Sequence, residues 1–226
     1  MKALVQVAGV IDLAEARALL ACGVDWLGFP LRLDVHRPDL GEDEAADVIR
    51  AAGLAERAVL ITYETDLAAL VALAAALGLR RIQLHADCAP AVAAEVKSLN
   101  PALFLMKSLV VRPDNRQALL DRMQAFAPHV AAFITDTFDP RTGASGATGQ
   151  VHDWTVSAGL VAASPRPVIL AGGLTPDNVA EAVRAVRPAG VDAHTGLEGS
   201  DGRKDMGKVR LFVDRARAAF REAGLG

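Results

Sequence analysis

The sequence predicts an α/β fold, a single-domain (β/α)8 barrel of the TIM type covering residues 1–226, on three observations. Short β-rich apolar runs alternate with stretches of helical apolar spacing eight times along the chain. At 226 residues the chain suits one such barrel, about 250 residues being typical. The composition is 52% hydrophobic but only 4% aromatic, which fits alanine-rich helices laid on an aliphatic sheet. Strict alternation specifies parallel strands joined by helical crossovers, and eight repeats close the sheet on itself.

Residues 3–8 are a β-rich run closed by Gly9, and residues 12–20 carry apolar side chains at helical spacing. The unit recurs as strands at 26–29, 58–62, 82–84, 103–106, 130–135, 168–170 and 191–193. Helices follow them at 43–51, 67–77, 90–99, 115–126, 154–163, 176–186 and 204–223, respectively. No linker or change of composition divides the chain. Two strand-to-helix connections are long, 30–42 and 136–153, and both fall on the C-terminal face, where barrel enzymes place their chemistry. The second is rich in Gly, Thr and Ser and reads as a lid over a ligand, with a solvated surface loop as the alternative.

A net charge of −3 with scattered basic residues argues against nucleic acid and anionic membranes as partners. No apolar run reaches the roughly 18 to 20 residues of a membrane span, and Met1 leads directly into strand-like sequence. A cytoplasmic location is therefore expected. Cys22 and Cys88 are too few for a disulfide framework and lack metal-ligand spacing, so neither a metal nor another cofactor is expected. A monomer and a homodimer both remain open.

The stretch that organises the chain is 168–178, read together with 190–198. Each is a short apolar run ending in glycine and polar residues, the first followed by a helix opening at Thr175 beside Pro176. Free amides at glycine turns and helix starts accept anions, and in this fold the loops after strands seven and eight are the usual phosphate site. Gly172, Gly173, Thr195 and Gly196 are its candidate ligands, and a phosphorylated small molecule is the expected partner. Asp136 ends the sixth strand, where an apolar run has no structural need of a carboxylate; it is the candidate acid, with a backbone cap as its other reading. Arg37, after His36 in the first long loop, suits a carboxylate or phosphate. His85 ends the fourth strand and is expected to point to the mouth, as a site residue or as a polar rim residue. Cys88 lies just beyond, where a helix dipole would lower its pKa if it were not simply a small buried hydrophobe. His194, in the eighth loop, reads as a ligand contact or a structural hydrogen-bonding residue. Asp192 is assigned to the barrel rather than the ligand, and Asp153 to a helix N-cap.

With these residues placed, the chain resembles the phosphoribosylanthranilate isomerase family of tryptophan biosynthesis along nearly its full length. The matching pieces are Gln83-Leu84-His85 with Asp87, Asp136-Thr137, a degenerate Gly-x-x-Gly-x-x-x-Asp-Trp from Gly146 to Trp154, and the run from Ala171 to Val179. Arg187-Pro188, Gly190-Val191-Asp192, Gly196-Leu197-Glu198 and Lys204-Asp205 complete them. The resemblance implies an Amadori rearrangement, in which an aminated ribose phosphate opens to a Schiff base and isomerises to an aminoketose. By the same resemblance Asp136 matches the general acid that protonates the ring oxygen, and Arg37 the arginine that holds the anthranilate carboxylate. Gly172, Gly173, Thr195 and Gly196 match the phosphate turns.

The chain departs from the family pattern at the first strand. There Lys-Ile/Val-Cys-Gly carries the cysteine that removes the C2′ proton, and here the residues are Gln6-Val7-Ala8-Gly9. Loss of a general base costs about 10²- to 10⁴-fold in rate. Val35-His36 for Ser-Pro, Ala86 for Gly, Gln150 for Lys and His194-Thr195 for Ser-Ser change the same face. His36, His85, Cys88 and His194 are the candidate substitute bases. Three functions are consistent with this pattern: the family's isomerisation with a relocated base, a related reaction on another phosphosugar, or phosphate-ligand binding without turnover.

Overall fold

A sheet of short aliphatic strands leaves no unpaired edge only when its last strand meets its first. The computed structural model of the chain describes residues 3–33, 38–138, 149 and 151–226. Its strands are β1 (Leu4–Ala8), β2 (Trp26–Leu31), β3 (Ala58–Thr62), β4 (Arg81–Leu84), β5 (Phe104–Val111), β6 (Ala132–Thr137), β7 (Val168–Leu170) and β8 (Gly190–Ala193). They pair in chain order and β8 returns to β1, closing the barrel. Each strand is followed by a helix: α1 (Leu13–Ala21), α2 (Glu42–Ala51), α3 (Leu67–Ala76), α4 (Pro90–Leu99), α5 (Arg116–Phe126), α6 (Trp154–Ala163), α7 (Val179–Val186) and α8 (Met206–Glu222). The architecture expected from the alternation is the one observed.

Two apolar layers hold it. Outside the strands, residues such as Leu19, Leu70, Val96, Val183 and Phe212 are fully buried under the helices. Inside, Val59, Ile61, Met106, Ile134 and Ile169 fill the barrel, with Leu4, Trp26 and Phe104 packed against them. Trp26 and Phe104 meet edge to face at 5.4 Å, and the Arg81 guanidinium lies 4.9 Å from the Trp26 ring centre. Elsewhere in the interior the lining turns polar: Gln83 Nε2 donates to Ser108 Oγ at 3.1 Å, and Gln6 Nε2 donates to Gln83 Oε1 at 3.4 Å. Among the described residues no helix is long and apolar enough to cross a membrane.

Among the element boundaries that the structure moves, three have a clear local reason. Lys107 reads as the end of the fifth strand, yet β5 runs on to Val111 because the buried ammonium spends its three donors on the carbonyls of Leu84, Ala86 and Ser108. The longer β5 in turn pairs Val110 with Asp136 and Val111 with Thr137, drawing Asp136 into β6. Helix α7 begins at Val179 rather than at Thr175. Asn178 Oδ1 accepts from the Thr175 amide and its Nδ2 donates to the Gly173 carbonyl, so residues 175–178 make a separate turn first. Asp153 caps α6 as expected, accepting from the Thr155 amide at 2.8 Å.

Candidate active site

A cavity of about 370 Å³ opens at the C-terminal ends of the strands. Backbone amides form one wall. Gly172 and Gly173 follow β7 with φ of 106° and 63°, conformations that favour glycine. Thr195 and Gly196 follow β8 in a single 3₁₀ turn (Thr195–Leu197). The two turns touch, since a Cβ at Gly196 would lie 2.1 Å from the Leu174 carbonyl oxygen. The amides of Gly172, Gly173, Thr195 and Gly196 have no acceptor among the described residues, so together they can offer an anion four donors. These donors belong to the turns rather than to α7, which starts too late to supply them.

Asp136 supplies the carboxylate of the next wall. Its Oδ1 accepts from the Thr137 amide at 2.8 Å and its Oδ2 lies 3.0 Å from His85 Nε2. His85 is stacked on Tyr63, ring centres 4.6 Å apart, which fixes the imidazole plane. Its Nδ1 is buried with no partner among the described residues. The pair is therefore held on the strand ends β4 and β6 with one hydrogen-bonded proton between two groups able to carry it.

Behind these side chains lies a relay that sequence reading missed. Thr137 Oγ1 and His152 Nδ1 are 2.8 Å apart, and His152 Nε2 lies 2.6 Å from Ser157 Oγ. Burial holds the His152 pKa below its usual value against the opposing pull of Asp136 and Asp153. A Cβ at Gly172 would lie 2.1 Å from Thr137 Oγ1, so this buried chain supports the glycine turn from beneath. The sequence signal for it is a histidine, His152, directly before the Asp153 cap of α6.

Asp192 corrects a sequence assignment. It lines the cavity, is 8% exposed, and its Oδ1 has no hydrogen-bond partner among the described residues. Burial, reinforced by the nearby Asp136 charge, pushes its pKa from 3.8 up to about 7, with Gln6 and Lys204 opposing. Between these values the folded chain keeps a proton that the unfolded chain has lost. Stability therefore falls as pH rises through that window, and the cost is complete above about pH 7. Asp192→Asn is expected to stabilise the fold by roughly 1–4 kcal/mol at pH 8 and by much less at pH 4, read as denaturant midpoints. Equal midpoint shifts at both pH values would contradict this account.

The other expected residues divide. His194 lines the cavity, as does Asp39 from the first long loop, a carboxylate the sequence reading passed over. Cys88 does not reach it. The thiol lies two residues before α4, in a separate surface groove with Asp87 and Arg122, and burial raises its pKa, with Lys107 and Arg122 opposing. The correction is physical: β4 ends at Leu84, and the following turn carries Cys88 outward over α5. Its role as a substitute base is removed. His36 and Arg37, together with most of the expected lid, lie outside the described residues. Among the described residues no three His, Cys, Asp or Glu side chains gather to hold a metal ion.

Fold and site together define a β/α-barrel protein whose C-terminal mouth sets an aspartate–histidine pair and two glycine turns around one cavity. The family model for N-(5′-phosphoribosyl)anthranilate isomerase matches residues 30–215. The chain belongs to that family. It is 36% identical over 218 residues to N-(5′-phosphoribosyl)anthranilate isomerase 2 of Methanosarcina mazei, covering 96% of this chain and 95% of the relative. The isomerase of Haloferax volcanii is 39% identical over 216 residues, 95% of this chain and 93% of its own. Among solved structures, phosphoribosyl anthranilate isomerase from Thermococcus kodakaraensis superposes with a TM-score of 0.77 at 26% identity, covering 95% of this chain and 99% of its own.

Proposed function

We propose that the chain converts N-(5′-phosphoribosyl)anthranilate to its 1-amino-1-deoxyribulose isomer by an Amadori rearrangement, the activity its curated relatives are named for. The observation that carries the reading is the shared cavity, with Asp136 and His85 in one wall and the amides of Gly172, Gly173, Thr195 and Gly196 in another. The amides take the 5′-phosphate. Asp136 then delivers a proton to the ring oxygen as the C1′–O bond breaks, and the nitrogen lone pair forms the C1′=N bond of a protonated Schiff base. Loss of the C2′ proton returns the C=N electron pair to nitrogen and leaves an enolamine. Protonation at C1′ and loss of the C2′ hydroxyl proton, which returns to Asp136 through solvent, give the ketone. No oxidant is consumed, because C1′ is reduced as C2′ is oxidised.

One observation favours a second reading. Ala8 stands in the cavity wall and has no proton to exchange, which suits a phosphate-ligand binder or an enzyme acting on another phosphosugar. Turnover of freshly generated phosphoribosylanthranilate by the purified protein, followed as loss of substrate fluorescence, separates the readings. Conversion supports the isomerase; saturable phosphate-dependent binding in calorimetry without product supports the second.

A further inference from the structure

The isomerisation needs a group to accept the C2′ proton, and strand register identifies where one stands. β1 and β8 pair Gln6 with Asp192 and Val7 with Ala193. Ala8 and His194 are the residues that follow the last of these pairs, and Ala8 shares the inner strand face with Gln6 because strand faces alternate. Both Ala8 and His194 line the cavity. The imidazole occupies the space over the next residue: a Cβ at Gly9 would lie 2.0 Å from His194 Nε2, and φ there is 78°. No larger residue fits beneath it.

The ring is also oriented. His194 Nε2 lies 3.4 Å from Glu198 Oε1, and the same oxygen is 3.0 Å from Lys204 Nζ. A carboxylate facing Nε2 favours the tautomer with its hydrogen there, leaving the Nδ1 lone pair available. Burial and the Lys204 charge lower the His194 pKa against Glu198, Asp39 and Asp136, which favours the neutral imidazole. The other titratable groups of the wall are less suited. His85 is bound to Asp136, and Asp192 is the more deeply buried at 8% exposure. The His194 side chain is 22% exposed, so its proton can exchange with solvent.

Building on the isomerase reading, we propose that His194, oriented by Glu198 and Lys204, is the general base of the C2′ step. The C2′–H bond breaks, its proton passes to Nδ1, and its electron pair forms C1′=C2′ as the C=N pair returns to nitrogen. The imidazolium then supplies the proton at C1′.

The test compares wild type, His194→Ala, His194→Asn and Asp192→Asn on unlabelled and C2′-deuterated phosphoribosylanthranilate. Both His194 variants are expected to lose about 10²- to 10⁴-fold in kcat with KM within a few-fold, and the deuterium isotope effect on kcat is expected to grow. Added imidazole should partly restore His194→Ala, where it has room, and not His194→Asn, where the amide fills the space. A merely structural role would not give this rescue. Wild-type turnover with both His194 variants within threefold overturns the base assignment alone. Loss and enlarged isotope effect in Asp192→Asn, without imidazole rescue of His194→Ala, makes Asp192 the base and also overturns it. No turnover by the wild type overturns the assignment together with the isomerase reading. Melting temperature and inorganic phosphate binding of both His194 variants, followed in parallel, are expected to stay near wild type, and rescue of His194→Asn by imidazole would equally count against the proposal.

Discussion

Asp136→Asn is expected to lower kcat by about 10²- to 10⁴-fold while KM stays within a few-fold, the ordinary cost of removing a proton donor whose shape is kept. The asparagine carbonyl can accept from the Thr137 amide as Oδ1 does at 2.8 Å, and the amide end can still face His85 Nε2 across 3.0 Å. Binding geometry is therefore preserved and the transferable proton is not. The same substitution removes a charge that raises the Asp192 pKa, so Asp192 should titrate lower in the variant. That secondary effect gives an independent check that the two carboxylates interact. Turnover within threefold of wild type would mean that Asp136 serves only as a cap on the strand end, which is its plain structural reading.

The barrel was legible because its determinants are periodic. Aliphatic runs of strand length and helical spacing between them leave few topologies open, and all eight units are found where the alternation places them. What was illegible lies where a side chain finds a partner far along the sequence. Lys107 ends a strand in any local reading, and only the carbonyls of Leu84 and Ala86, more than twenty residues earlier, reveal why it does not. Thr175-Pro176 has the local signature of a helix start, but Asn178 competes for the same amide. Asp136, His85 and the glycines, which line the cavity, were legible as candidates because they end apolar runs. Asp192 was assigned to the barrel because it sits within a run, although alternation turns it inward and burial raises its pKa. Cys88 failed in the opposite sense: it follows a strand end closely but on a turn that carries it away from the mouth.

Gly196→Ala is expected to raise KM by roughly 5- to 150-fold with kcat little changed, and inorganic phosphate should weaken as a competitive inhibitor in parallel. The reason is contact rather than backbone strain. The added methyl would stand 2.1 Å from the Leu174 carbonyl oxygen and 3.1 Å from Thr175 Cγ2, so the turns after β7 and β8 must separate. Backbone cannot swing aside as a flexible side chain can, and overpacking of this kind costs about 1–3 kcal/mol. Separation moves the Gly172 and Gly173 amides away from those of Thr195 and Gly196. The cost then appears in phosphate affinity, where each 1.4 kcal/mol is about tenfold. Gly53→Ala is the matching control. Gly53, with φ of 64° and nothing within 4 Å of its added Cβ, follows α2 at the opposite end of the barrel, so its substitution should lower the melting temperature slightly and leave KM unchanged. Equal KM values in Gly196→Ala and wild type would mean that the two touching turns do not hold the phosphate.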